Sequence, residues 1–164
     1  MGESALTVTV ADAAAMEALG GAVGDALRGG GALLALRGDL GTGKTTLARG
    51  LLRRLGVEGA IRSPTYTLIE PYEIAGRAVY HLDLYRVAAP GELDFMGVRD
   101  LLDDGALVLV EWPERGGRSI PGADVDLALA HATPGRVIAL RGCTAAGKAL
   151  LGVLSLPGGC TLLP

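Results

Sequence analysis

Residues Gly38-Asp39-Leu40-Gly41-Thr42-Gly43-Lys44-Thr45 match the phosphate-loop pattern GxxxxGK[ST] in full. Such a loop works at one place in a fold, between the end of a strand and the start of a helix. Its glycines let successive N–H groups turn inward with no Cβ in the way. The helix that follows aims the positive end of its dipole at the same point. Lys44 offers a compact ammonium to the outer phosphates, and the Thr45 hydroxyl offers a ligand for Mg²⁺. The flanks fit this context. Ala32–Leu36 is an apolar run of strand length, and Lys44–Leu55 carries Leu47, Leu51, Leu52 and Leu55 on one side, with Gly56 as a stop.

Composition sharpens one position. Of 15 basic residues only Lys44 and Lys148 are lysines. A lysine at the site that needs a compact cation, in a chain that otherwise uses arginine, is hard to ascribe to chance. Gly142–Lys148 echoes the loop, but its glycine spacing is one residue short and Ala149 follows the lysine. It is read as no site.

The remaining chain reads as one α/β domain, a central sheet flanked by helices. Leu6–Val10 alternates as a strand, and Asp12 caps a helix over Ala13–Leu27 with Met16, Leu19, Val23 and Leu27 at helical spacing. Thr65–Tyr72 and Ala78–Leu82 read as strands joined by a glycine turn, and Pro90–Leu102 as a helix broken near Gly97. Ala106–Val110 has the continuous apolar character of a strand buried on both faces. Val125–Ala130 and Arg136–Leu140 read as a strand pair around Thr133-Pro134-Gly135. Residues 1–142 make the domain on this reading, and 143–164 a tail with one further strand, placed at Leu150–Leu156.

A net charge of −3 and a pI near 5.3 speak against a protein that grips nucleic acid unaided. The N-terminal residues lack a basic stretch followed by an apolar one, and no apolar run approaches the ~18 residues of a membrane span. With Cys143 and Cys160 as unpaired thiols, the expected compartment is the cytoplasm. No Asn-Lys-x-Asp occurs to read guanine, so adenine is favoured, and no dense arginine lid suggests a small-molecule kinase, the rival enzyme class. A nucleotide-gated binding module with negligible turnover stays open.

A phosphate loop needs a second acid at a strand end. Glu111, closing Leu107–Val110, is preferred to Asp83, closing Val79–Leu82, because its run is the more apolar. Ser63-Pro64-Thr65-Tyr66 reads either as a switch that senses phosphate or as a proline turn entering a strand. His81 and His131 read as core or surface histidines, Trp112 as packing near the nucleotide or in an interface, and Arg49, Arg53, Arg54 and Arg62 as a solvated face.

Four segments in series resemble the TsaE family: Gly38–Thr46, Ser63-Pro64-Thr65-Tyr66-Thr67-Leu68, His81-Leu82-Asp83-Leu84-Tyr85-Arg86 and Glu111-Trp112-Pro113-Glu114. That resemblance implies a P-loop ATPase of weak intrinsic turnover. It implies work with the TsaD–TsaB pair in threonylcarbamoylation of the adenosine beside the anticodon, touching tRNA only through that complex. It implies ATP and Mg²⁺ bound by Gly41, Thr42, Gly43, Lys44, Thr45 and Thr46, with Thr45 and Glu111 on the metal. Thr65 and Asp83 then read or act on the γ-phosphate beside Lys44 and Glu111, and Arg136 lies near the base. Thr42 departs from the alanine common in the family.

Overall fold

The strand that enters the phosphate loop sits where the sheet is deepest. The computed structural model describes residues 4–27, 29–103 and 105–164, so the first three residues of the N-terminal stretch read above lie outside it. Strands β1 (Ala5–Val10), β2 (Ala32–Arg37), β3 (Ile69–Ile74), β4 (Arg77–Asp83), β5 (Leu107–Glu111), β6 (Val125–His131), β7 (Arg136–Gly142) and β8 (Cys160–Leu162) form one sheet in the order β3-β4-β5-β2-β6-β7-β1-β8. Pairs β4–β5, β5–β2 and β2–β6 are parallel; the outer pairs are antiparallel. The parallel centre therefore brings the C-terminal ends of β4, β5 and β2 to one edge, where ligands bind in open α/β sheets.

Two apolar layers cover the sheet. Leu34 and Leu36 of β2 and Leu107 and Leu109 of β5 pack under α1 (Ala13–Ala26), α2 (Lys44–Leu55) and α5 (Ala145–Val153). The alternate residues Leu33, Ala35, Val108 and Val110 face α3 (Gly91–Phe95), α4 (Val98–Asp103) and a 3₁₀ segment, Pro113–Ser119. That division explains why β2 and β5 read as unbroken apolar runs. Asp12 caps α1 as expected, its carboxylate accepting from the Ala15 N–H at 2.8 Å. Helix α1 lies hard against α2. A Cβ at Gly20 would stand 2.0 Å from the Leu47 carbonyl, and one at Gly50 2.0 Å from that of Glu17. Across this contact Arg54 pairs with Asp25 at 2.7 Å and Arg49 with Glu17 at 3.6 Å, so both arginines belong to a solvated helix face.

Two expectations need correction. Thr65–Leu68 is a turn, and the strand starts only at Ile69; the Leu68 N–H donates to the Pro64 carbonyl and Leu68 has φ 64°. Leu150–Leu156 is not a strand. Residues 145–153 form α5, whose Gly147, Leu150 and Leu151 are buried at helical spacing, and the last strand is Cys160–Leu162 at the sheet edge. Among the described residues, no helix is long and apolar enough to cross a membrane.

Candidate nucleotide site

The phosphate loop is built as its glycines demand. Gly38, Gly41 and Gly43 have φ of 142°, 75° and 105°, a region that disfavours side chains. A Cβ at Gly38 would meet the Leu129 carbonyl at 2.4 Å. The start of α2 has no side-chain cap, so its first N–H groups face the cradle without an acceptor from the chain's own side chains. Thr42 is buried and turns its hydroxyl back onto the Asp39 carbonyl at 2.9 Å, tightening the loop. That use accounts for a threonine where alanine would also fit.

Lys44 is buried with its ammonium on the Gly38 and Asp39 carbonyls, at 2.6 and 2.8 Å, and 4.4 Å above the Trp112 ring. Burial lowers its pKa from the ordinary lysine value, against the pull of Glu111 and Asp83. Trp112 itself sits at φ 56°, unusual for so bulky a residue, and stacks at a tilt on Tyr85 with ring centres 5.0 Å apart. Arg115 lies over both rings. The tryptophan thus packs beside the loop lysine.

The two strand-end acids are brought together. Register places Asp83 opposite Glu111 on parallel strands, and both are buried. Glu111 has both oxygens engaged: Oε1 accepts from the Thr45 hydroxyl at 2.8 Å, and Oε2 is 2.7 Å from His81 Nε2. Among the described residues, Asp83 accepts only the Tyr85 N–H, at 3.0 Å. Burial raises its pKa above the ordinary carboxylate value; the Tyr85 N–H opposes this and the Glu111 charge adds to it. One acid is tied at both oxygens and its neighbour is loosely held, a division suited to two roles.

Two cavities meet at the loop. One, of about 330 Å³, is lined by Lys44, Thr45, Thr65, Asp83, Glu111 and Trp112. The other, of about 320 Å³, lies between Asp12, Met16, Thr42, Gly135 and Arg136. Gly41, Gly43 and Thr46 border both. Arg136 donates to the Gly41 carbonyl at 3.0 Å, joining β7 to the loop. Thr65 stands in the first cavity's wall, its hydroxyl 2.6 Å from that of Ser63. Of the residues read from sequence as nucleotide, metal or γ-phosphate groups, Gly41 to Thr46, Thr65, Asp83, Glu111 and Arg136 each line one cavity or the other. The sequence reading missed His81, which it left as an ordinary histidine. The alternation His81-x-Asp83 on a strand next to Glu111 was the available signal. Among the described residues, no three His, Cys, Asp or Glu side chains cluster to hold a metal by themselves. Magnesium does not ask for that, since it keeps waters and phosphate oxygens and takes one or two protein groups. The cradle, the Thr45–Glu111 contact and Lys44 fit a magnesium–nucleotide.

A model described as threonylcarbamoyl adenosine biosynthesis protein TsaE matches residues 10–138. The tRNA threonylcarbamoyladenosine biosynthesis protein TsaE of Haemophilus influenzae is 47% identical over 120 residues, 73% of this chain and 76% of that protein. The protein of the same name from Borreliella burgdorferi is 33% identical over 114 residues, 68% of this chain and 82% of that one. The crystal structure of Bacillus subtilus YdiB superposes with a TM-score of 0.77 over 94% of this chain and 96% of that chain, at 24% identity, which bears on the fold.

Proposed function

The chain belongs to the TsaE family, with a role in tRNA threonylcarbamoyladenosine biosynthesis, and from that premise we propose that it is a magnesium-dependent ATPase driving the TsaD–TsaB complex through its cycle. The contact that carries this reading is Thr45 Oγ1 to Glu111 Oε1 at 2.8 Å. It joins the helix behind the phosphate loop to the strand-end acid, the two sides between which a nucleotide-bound cation is held. When bound, Mg²⁺ neutralises charge on the outer phosphate oxygens. The protein's own residues do the rest. The loop amides from Gly41 to Thr46 hold the phosphates, and Lys44 turns its ammonium from the Gly38 and Asp39 carbonyls to them. Asp83, its carboxyl biased toward holding a proton, orients the attacking water together with Thr65. Arg136, Asp12 and Met16 frame the base in the second cavity. Ser63, Tyr66 and Thr67 beside Thr65 are exposed, and a protein partner covering them would raise the weak turnover of the isolated chain.

Phosphate release, measured with the chain alone and with the TsaD–TsaB pair, tests the proposal. Magnesium-dependent release that rises with the pair is expected. Release indifferent to the pair but stimulated by a small phosphate acceptor would favour a kinase. Nucleotide binding with no release under any condition would leave a gated binding module.

A further inference from the structure

His81 is fully buried in β4, on the face it shares with Val79 and Asp83 and across from Leu109 of β5. That face packs into the apolar layer under α2, so a leucine would suit the position better than an imidazole. Among the described residues the ring makes one hydrogen bond, Nε2 to Glu111 Oε2 at 2.7 Å, and its Nδ1 has no partner. A half-satisfied polar ring in such a place is a cost without return unless that one contact matters. An ionised carboxylate only accepts, so Nε2 is the donor.

The contact fixes what Thr45 alone leaves free. Thr45 holds one oxygen of the Glu111 carboxylate, from the helix behind the phosphate loop, and leaves Oε2 to be fixed by another group. His81 stands on a different element, a central strand. Resting on the proposal that Glu111 is the magnesium-side acid, we propose that His81 is a positioning residue: it clamps Oε2 from β4 so that Oε1 stays aimed at Thr45 and the cation. Its part resembles that of outer partners in metal sites, which orient a ligand they do not replace.

Calorimetry with a non-hydrolysable ATP analogue, in EDTA and across a magnesium titration, separates the clamp from simple packing. H81L keeps the volume and loses the donor. H81Q reaches about as far as Nε2 with an amide N–H, and H81N falls short. Affinity in EDTA is expected to stay within about twofold of the parent in all three. The magnesium midpoint is expected to rise about tenfold or more in H81L and H81N, and to return to within about threefold in H81Q. An unshifted midpoint in H81L, with E111Q shifting it, overturns the clamp and leaves His81 as core filling. An unshifted midpoint in E111Q itself overturns the reading of Glu111, and the clamp with it. Should H81L fail to fold, H81Q against H81N decides: equal midpoints overturn the proposal.

Discussion

Two glycine-rich turns in this molecule lead from a strand into a helix and carry a lysine, yet only one is open. Gly38–Lys44 leaves β2 in positive-φ steps, its helix uncapped by any side chain. Gly142–Lys148 leaves β7 and is filled by its own chain. The Thr144 hydroxyl accepts from the Gly147 N–H at 3.1 Å and donates to Asp124 at 2.7 Å, and the Asp124 main chain presses on Gly147. Lys44 is buried and turned into its loop; Lys148 is exposed. A glycine turn before a helix becomes an anion site when the loop is long enough to point its amides inward and no side chain has already taken them. Where a Ser, Thr or Asp caps the helix, the same glycines serve close packing.

The widest gap between the turns should appear on removing their lysines. Lys44→Ala is expected to lower turnover about a hundredfold or more, as loss of a preorganised charge contact does, while Lys148→Ala leaves phosphate release unchanged. Equal effects would erase the distinction. The glycines divide next. In Gly147→Ala the new Cβ would stand 1.8 Å from the Asp124 carbonyl, so α5 must shift. A loss of about 3 kcal/mol in urea unfolding is expected. In Gly43→Ala the clash is with the flexible end of Met16 at 3.0 Å and the strain is in φ, so about 1–2 kcal/mol is expected, with a drop in nucleotide affinity that Gly147→Ala lacks. Smaller still is Thr144→Ala, which removes one cap at about 1 kcal/mol and should leave nucleotide affinity untouched.

The difference between the turns was visible in the residues, because the glycine spacing and the threonine before Ala145 are local features. So were β2, α2 and β5, whose patterns match their burial. What escaped the sequence depends on contacts between distant segments. Leu150–Leu156 is apolar enough for a strand, but the Thr144 cap together with packing on β7 holds 145–153 as a helix. Thr65–Leu68 has strand-like residues, but Pro64 and the positive φ at Leu68 hold it as a turn beside the phosphate cavity. His81 shares a strand face with Asp83 by simple alternation, but its meeting with Glu111 is set by the β4–β5 register.

The two regions also hold their acids on opposite terms. Asp124 accepts from the Leu33 N–H at 2.8 Å on one oxygen and from Thr144 on the other, so its carboxylate supports the fold. Asp83, chiefly through burial, has its pKa raised above the ordinary value of 3.8. The native state therefore keeps the Asp83 proton to a higher pH than the unfolded chain does. Between the two pKa values the native state binds the extra proton, so this group's contribution to stability falls as pH rises through that window. The penalty persists at neutral pH. Asp83→Asn keeps an oxygen for the Tyr85 N–H and removes the charge, so its melting temperature should exceed the parent's at pH 7. The gap should close below the ordinary carboxylate range, where both unfolded and native Asp83 are protonated. Asp124→Asn should melt lower than the parent at pH 7. An Asp83→Asn protein that melts lower at neutral pH would mean the acid is held for the fold after all, and would remove the physical ground for giving it a proton-handling role.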